Sequence, residues 1–299
     1  MPINPFLKQL GFADRDRVVI FHADDVGMCY SSVAAFAEMI AVGPLVSGAV
    51  MVPCPWFREV AAYCKSNPTV DMGAHLTFTA EWETYRWGPI STSDPASGLM
   101  DGEGFFYRTA QEAQEHANPD FIWPEVKAQV DRALAADIDL THIDTHMGTM
   151  FHPNFIEAYF RAGHTYQLPL MLLRLTEERA ERWKDQPDIL AALQRRLENV
   201  EEEGFPIIDH LYQMPLREPD DRLGDVIETI AALEPGLTHF IVHPTKNTAE
   251  VRAITPEDWQ GRVADYQCFI HDDLRDYLIK SGIQVITYRT LREAMRGNS

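Results

Sequence analysis

The sequence predicts an α/β protein: a (β/α) barrel of TIM-like type with seven or eight parallel strands, in a single domain spanning 1–299. Two observations carry that expectation. Short β-branched runs recur along the chain, each followed by a stretch of helical periodicity, the pattern of a parallel sheet with helices outside it. Polar residues able to do chemistry also recur at the carboxyl ends of those runs, the rim on which such barrels carry their sites. A doubly wound open sheet satisfies the alternation too, and the strand count favours the barrel.

Taken in order, strands are expected at 18–22 (VVIFH), 45–52 (LVSGAVMV), 70–77 (VDMGAHLT), 141–145 (THIDT), 169–173 (PLMLL), 206–212 (PIIDHLY), 237–242 (LTHFIV) and 283–287 (IQVIT). Helices are expected between them at about 31–41, 55–66, 121–136, 153–163, 186–202, 220–233 and 265–281. The long interruption at about 78–118 is rich in Gly, Pro, Ser and aromatics, and a segment of that length reads as a substrate-covering loop. The acidic stretch Glu177 to Glu203 reads as a solvated helix face. No repeat, low-complexity tract or linker divides the chain.

Composition narrows the function classes. Hydrophobic residues at 45% and charged residues at 24% are those of an ordinary globular protein. The 26 Lys and Arg against 45 Asp and Glu give a net charge of −19, which repels phosphate backbones and anionic lipid. A small neutral or cationic partner is expected, with no nucleic acid. The longest apolar runs fall well short of the roughly 18 residues a membrane span requires, and the first residues show no secretion signal. Cys29, Cys54, Cys64 and Cys268 have no CxxC spacing, so reduced thiols in a cytoplasmic protein are expected, with a homodimer kept open as its assembly.

The chemistry-bearing residues are then few. The first strand runs into His22-Ala23-Asp24-Asp25-Val26-Gly27, and two adjacent carboxylates after an apolar strand require separation, protonation or a cation; helix capping is the plain alternative. The third strand carries His75, and the fourth carries His142, Asp144 and His146 on one face. Arg174 follows the PLMLL run and His243 follows LTHFIV. Two imidazoles and a carboxylate suit a divalent metal with open positions. With Asp25, His75 and His146 as ligands, Asp24 stands beside them as a base and His243 opposite as an acid, which is what hydrolysis of an amide or ester needs.

These elements together resemble the YdjC-like carbohydrate deacetylases, of the chito-oligosaccharide deacetylase type. The resemblance rests on Ala23-Asp24-Asp25-Val26-Gly27, Gly73-Ala74-His75-Leu76, Thr141 to His146 and His243-Pro244, in family order over about 220 residues. It implies a barrel-like fold and a metal-dependent hydrolase of linear amides that removes N-acetyl groups from amino sugars or N-acetylglucosamine-containing oligosaccharides and glycoconjugates. It also implies Asp25, His75 and His146 as metal ligands, Asp24 as base, His243 as acid and Arg174 near the catalytic carboxylate. One divalent ion is expected, zinc or magnesium foremost. Two departures stand out: Met147-Gly148-Thr149 replaces the run of histidines found in many members, and His22 stands where asparagine is often seen. Trp82, Tyr85 and Trp87 offer flat faces for a sugar, the alternative being that they pack the loop onto the barrel. The competing functions are a non-haem iron oxygenase, which shares the two-His-one-carboxylate set, and a non-catalytic sugar-binding protein using the same pocket.

Overall fold

The computed structural model describes residues 4–181 and 187–297. Its strands are β1 (Arg17–Val26), β2 (Val46–Val50), β3 (Met72–Leu76), β4 (Leu140–Thr145), β5 (His210–Gln213), β6 (Gly236–Val242) and β7 (Gln284–Val285). All pairings are parallel, in the order β4-β3-β2-β1-β6-β5, with β7 added to β1. This is the sheet of a TIM-like barrel. β1 is central because its residues beyond Arg17 are all buried, and a strand with no wet face needs cover on both sides.

The expected strand at 169–173 forms no ladder of its own. Pro169 still takes part through its carbonyl, which accepts from Ile143 N at 2.9 Å, but the pairing does not continue as a run. The segment instead makes isolated parallel bridges, Ile143 with Leu170 and Leu173 with Ile208. Met171 N donates to Ile143 O at 3.0 Å and Ile208 N to Leu172 O at 2.8 Å, so an extended piece of chain spans the gap between β4 and the residues leading into β5.

The expected helix at 265–281 is two helices, Trp259–Phe269 and Asp272–Ser281. His271 between them turns its side chain to accept from Asp273 N, a capping arrangement that starts the second helix afresh. Phe269 packs edge-on against Phe21 of β1 at 5.1 Å, and Phe240 of β6 does the same at 5.5 Å. Such pairs add about 0.5–1.5 kcal/mol to the burial of their rings. That contact seats the helix Trp259–Phe269 over the centre of the sheet.

The segment after β3 is packed rather than open. It contains a short 3-10 turn, Pro95–Ser97, and the helix Ala110–His116, and it buries Trp87, Leu99 and Phe106. Glu125 accepts from Ile90 N and Ser91 N, which ties the segment to the helix Pro119–Ala135. Among the described residues no helix is long and apolar enough to cross a membrane.

The helix Trp259–Phe269 approaches the chain at Leu216 so closely that a Cβ on Gly261 would lie 1.9 Å from Leu216 O. Gly261→Ala is therefore expected to cost about 1–3 kcal/mol through overpacking. Differential scanning fluorimetry should record a lower Tm; an unchanged Tm would mean that this contact does not hold the helix.

Candidate metal centre

Adjacent residues on a strand normally point to opposite faces, yet Asp24 and Asp25 both reach the same group. Asp24 Oδ2 lies 3.9 Å and Asp25 Oδ1 3.5 Å from His75 Nε2. The β1–β2 register shifts between Ala23 and Val26, and Asp25 takes a left-handed φ of 60°. A local irregularity of this kind re-aims a side chain at a strand end, and Asp is among the residues that tolerate the left-handed region. His75 comes from β3. His146 follows β4 in a tight 3-10 turn, His146–Phe151, in which Met147 and Gly148 have positive φ.

His146 Nδ1 stands 3.1 Å from Asp25 Oδ1, and the His75 and His146 rings are 5.2 Å apart. One ligand atom each from Asp25, His75 and His146 falls within 4.8 Å of the others, with all three residues buried. Each histidine has a carboxylate behind it: His75 Nδ1 meets Asp144 Oδ1 at 2.8 Å, and His146 Nε2 meets Glu81 Oε2 at 3.1 Å. A carboxylate accepts only, so it takes the N–H on its side and leaves the opposite nitrogen facing the centre. Asp25 Oδ1, buried between those nitrogens, has no hydrogen-bond partner among the described residues. Its other oxygen accepts from Arg262 Nη1 at 2.7 Å. This donor set fits a divalent cation.

Electrostatics agree with that geometry. Burial opposes the charge on Asp25, but facing His146 and the Arg262 guanidinium outweigh it and hold the carboxyl well below its usual range. Burial likewise works against a charged His146, and Glu81 with Asp25 overcome it, holding the imidazole up at about 9. In the ion-free protein, protons on imidazole balance the clustered carboxylates.

The sequence-expected residues do not all gather here. Asp24, Asp25, His75 and His146 do, and His243 stands near enough for the charges of Asp25, Arg262 and Asp24 to act on it. His243 sits just past β6, 8% exposed, with Nδ1 lacking a hydrogen-bond partner among the described residues, and burial pushes it below its ordinary value. Its backbone N–H is held by Asp265 Oδ2 at 2.9 Å. Arg174 has given its guanidinium to Asp209 at 2.8 Å and Glu201 at 2.7 Å, and the arginine at the centre is Arg262 instead, on Asp25. Trp87 is 4% exposed and its indole N–H donates to Thr79 O, so it has no face to offer a ligand and packs the loop. Tyr85, half-buried, donates its hydroxyl to Met28 O at 2.6 Å. Trp82, also half-buried, carries the Arg262 guanidinium 5.7 Å from its ring centre.

Glu81 and Arg262 escaped the sequence reading. Glu81 lies in the first residues of the long loop after His75, a weak positional signal. Arg262 lies 237 residues from its partner with no motif around it.

Fold and cluster together define a TIM-like barrel with a His/Asp cation-type site on its carboxyl rim. The chain belongs to the YdjC-like protein family, whose profile matches residues 18–280. A relative from Thermus thermophilus named carbohydrate deacetylase is 33% identical, with 97% of this chain and 98% of that one covered. One of the same name from Brevibacillus brevis is 32% identical, with 91% and 99% covered. The crystal structure of an Enterococcus faecalis protein, to which cellobiose-phosphate cleavage is attributed, superposes with a TM-score of 0.74 at 20% identity, over 92% of this chain and 99% of that one. It shares the fold.

Asp25 and Arg262 are both almost wholly buried, with side chains 3% and 4% exposed. Removing one partner of such a pair costs about 3–5 kcal/mol because a charge is left behind unpaired. Arg262→Met should lose that much in denaturant unfolding of chelator-treated protein, and a loss below about 1 kcal/mol, the range of surface pairs, would show the pair is not needed.

Proposed function

We propose that the protein is a metal-dependent deacetylase of N-acetylated amino sugars, with Asp25, His75 and His146 as ligands to one divalent ion. The observation that carries the reading is the convergence of two imidazole nitrogens, each with a carboxylate behind it, on one buried carboxylate oxygen, Asp25 Oδ1. Relatives covering nearly the whole chain bear the name carbohydrate deacetylase, which supports the substrate class. Nitrogen-rich ligands favour zinc or a similar transition ion over magnesium, which prefers oxygen throughout. When bound, such an ion supplies Lewis acidity toward a carbonyl oxygen and toward water.

The chain's own residues do the rest. Asp24 Oδ2, the oxygen turned toward His75, receives the proton of the attacking water. His75 and His22 beside Asp24 keep that negative charge tolerable out of water. His243 returns a proton to the departing amine nitrogen, so that amide and water become acetate and amine. The loop after β3 covers the sugar, with Trp82 on the Arg262 side of the centre as the face available for stacking. The second carboxylate, Asp24, has no place in an oxygenase site and gives that alternative no support.

Asp24→Asn should keep its metal and lose activity by about 100- to 10,000-fold, the usual worth of a general base. Acetate release from N,N′-diacetylchitobiose, with metal content measured on the same sample, tests this. Activity close to wild type would remove Asp24 from the mechanism.

Because the His146 imidazole is held up at about 9, it carries a proton at neutral pH that an entering ion must displace. Metal affinity should therefore rise as pH increases from 7 toward 9, with proton release detected by calorimetry in buffers of different ionisation enthalpy. Affinity independent of pH would exclude His146 as a ligand.

A further inference from the structure

A barrel of this kind is ordinarily filled by branched aliphatic side chains. Here the interior holds His22, His142, His239 and Tyr288, all buried. His142 stacks on Tyr288 at 3.8 Å, and His22 packs on His239 at 4.5 Å. Polar rings in such a place are costly unless hydrogen-bonded. Space for one of them is built in: a Cβ on Gly73 would lie 2.4 Å from the His142 ring.

The hydrogen bonds form a chain whose direction can be worked out from one end. Asp71, 4% exposed, accepts from Arg289 N on Oδ2 and from Thr141 Oγ1 on Oδ1, both at 2.6 Å. A hydroxyl has one proton, and Thr141 spends it on that carboxylate. Its oxygen must then accept at its other contact, His142 Nδ1 at 3.0 Å. His142 is pushed well below its ordinary value, by burial first and by neighbouring His22 next, so it is neutral with one N–H. That N–H is on Nδ1, and Nε2 is left as a lone pair. Nε2 faces His22 Nε2 at 2.7 Å, so His22 donates there, and because the carboxylate of Asp24 can only accept, His22 donates from Nδ1 as well. The ring is thereby oriented with Nδ1 toward Asp24 Oδ1, at 2.5 Å.

We propose that His22 is a positioning residue for Asp24, oriented by this chain of fixed polarity running through the barrel from Asp71, Thr141 and His142. The inference rests on the reading of Asp24 as the base. His22 ties down Oδ1, and Oδ2 is left as the oxygen turned to the metal centre. Asp24 cannot rotate to present the wrong oxygen without breaking the bond to His22. Thr141 and Asp71 act at a distance, with no contact to Asp24 or to the centre themselves.

The test uses the metal-loaded enzyme and N,N′-diacetylchitobiose. Outer partners that orient site groups are typically worth 10- to 100-fold, so His22→Leu and the isosteric Thr141→Val should each lower kcat by about that factor, with KM and metal content unchanged. His22→Asn, whose amide nitrogen lies near the place of Nδ1, should recover most of the loss. In an Asp24→Asn background, His22→Leu should cost nothing further. If Asp24→Asn is inactive while His22→Leu and Thr141→Val keep wild-type kcat, the positioning role is overturned and the base reading stands. If Asp24→Asn keeps its activity, the base reading falls first. An equal loss from His22→Leu in both backgrounds would make its role purely structural and overturn the inference. Thr141→Val carries the same comparison if the leucine variant does not fold.

Discussion

The protein is organised around one carboxylate held out of water. Asp25 is 2% exposed, and an ionised group in that position must be matched by positive charge close at hand. Arg262 supplies one match through Oδ2, while His75 and His146 face Oδ1. Each of these partners makes its own demand. A buried guanidinium requires a helix seated at the right depth, and two imidazoles turned the same way require acceptors behind them, which Asp144 and Glu81 provide. Three strands, a helix and the loop after β3 are drawn to one point by that requirement.

The irregularity at the end of β1 is what makes the point a place for chemistry. On a regular strand Asp24 and Asp25 would diverge, one to each face. The left-handed turn at Asp25 brings both carboxylates to His75 and assigns them different surroundings. Asp25 is gripped on both oxygens' sides by cationic or cation-seeking groups. Asp24 is bound through one oxygen only, to a histidine that belongs to the barrel interior. Two neighbouring residues of one type thus become a candidate ligand and a candidate base through environment alone, the way paired carboxylates divide acid and base roles elsewhere. The polar layer beneath them is the cost of holding the second in place.

The loop after β3 joins stability and site in one segment. It buries Trp87, Leu99 and Phe106 against the barrel and, from the same stretch, delivers Glu81 behind His146 and Trp82 beside Arg262. Of the three aromatics that the sequence marks as sugar faces, one is committed to packing, and the composition of the loop could not separate these duties. A tryptophan in a Gly- and Pro-rich segment has the same signature whether its ring is covered by the barrel or left half open.

What the sequence determined by itself was the alternation of strand and helix, and with it the rim on which Asp24, Asp25, His75, His146 and His243 all stand. Those facts are local: a β-branched run buries itself, and the residue that follows it lies at the strand's carboxyl end whatever the rest of the chain does. At 169–173 the sequence led to a regular strand, and only the structure showed a segment that pairs through isolated bridges. Tertiary structure alone decided which arginine meets Asp25, which carboxylate stands behind His146, and that His22 and His142 share a bond across the barrel. Each of these is a contact between residues far apart in the chain, set by sheet order, helix depth and ring packing. Arg174 and Arg262 are the same residue type, and only the fold commits the first to Glu201 and Asp209 and buries the second on Asp25. Side-chain identity states what a group can do; the partner it meets in a low-dielectric interior decides what it does.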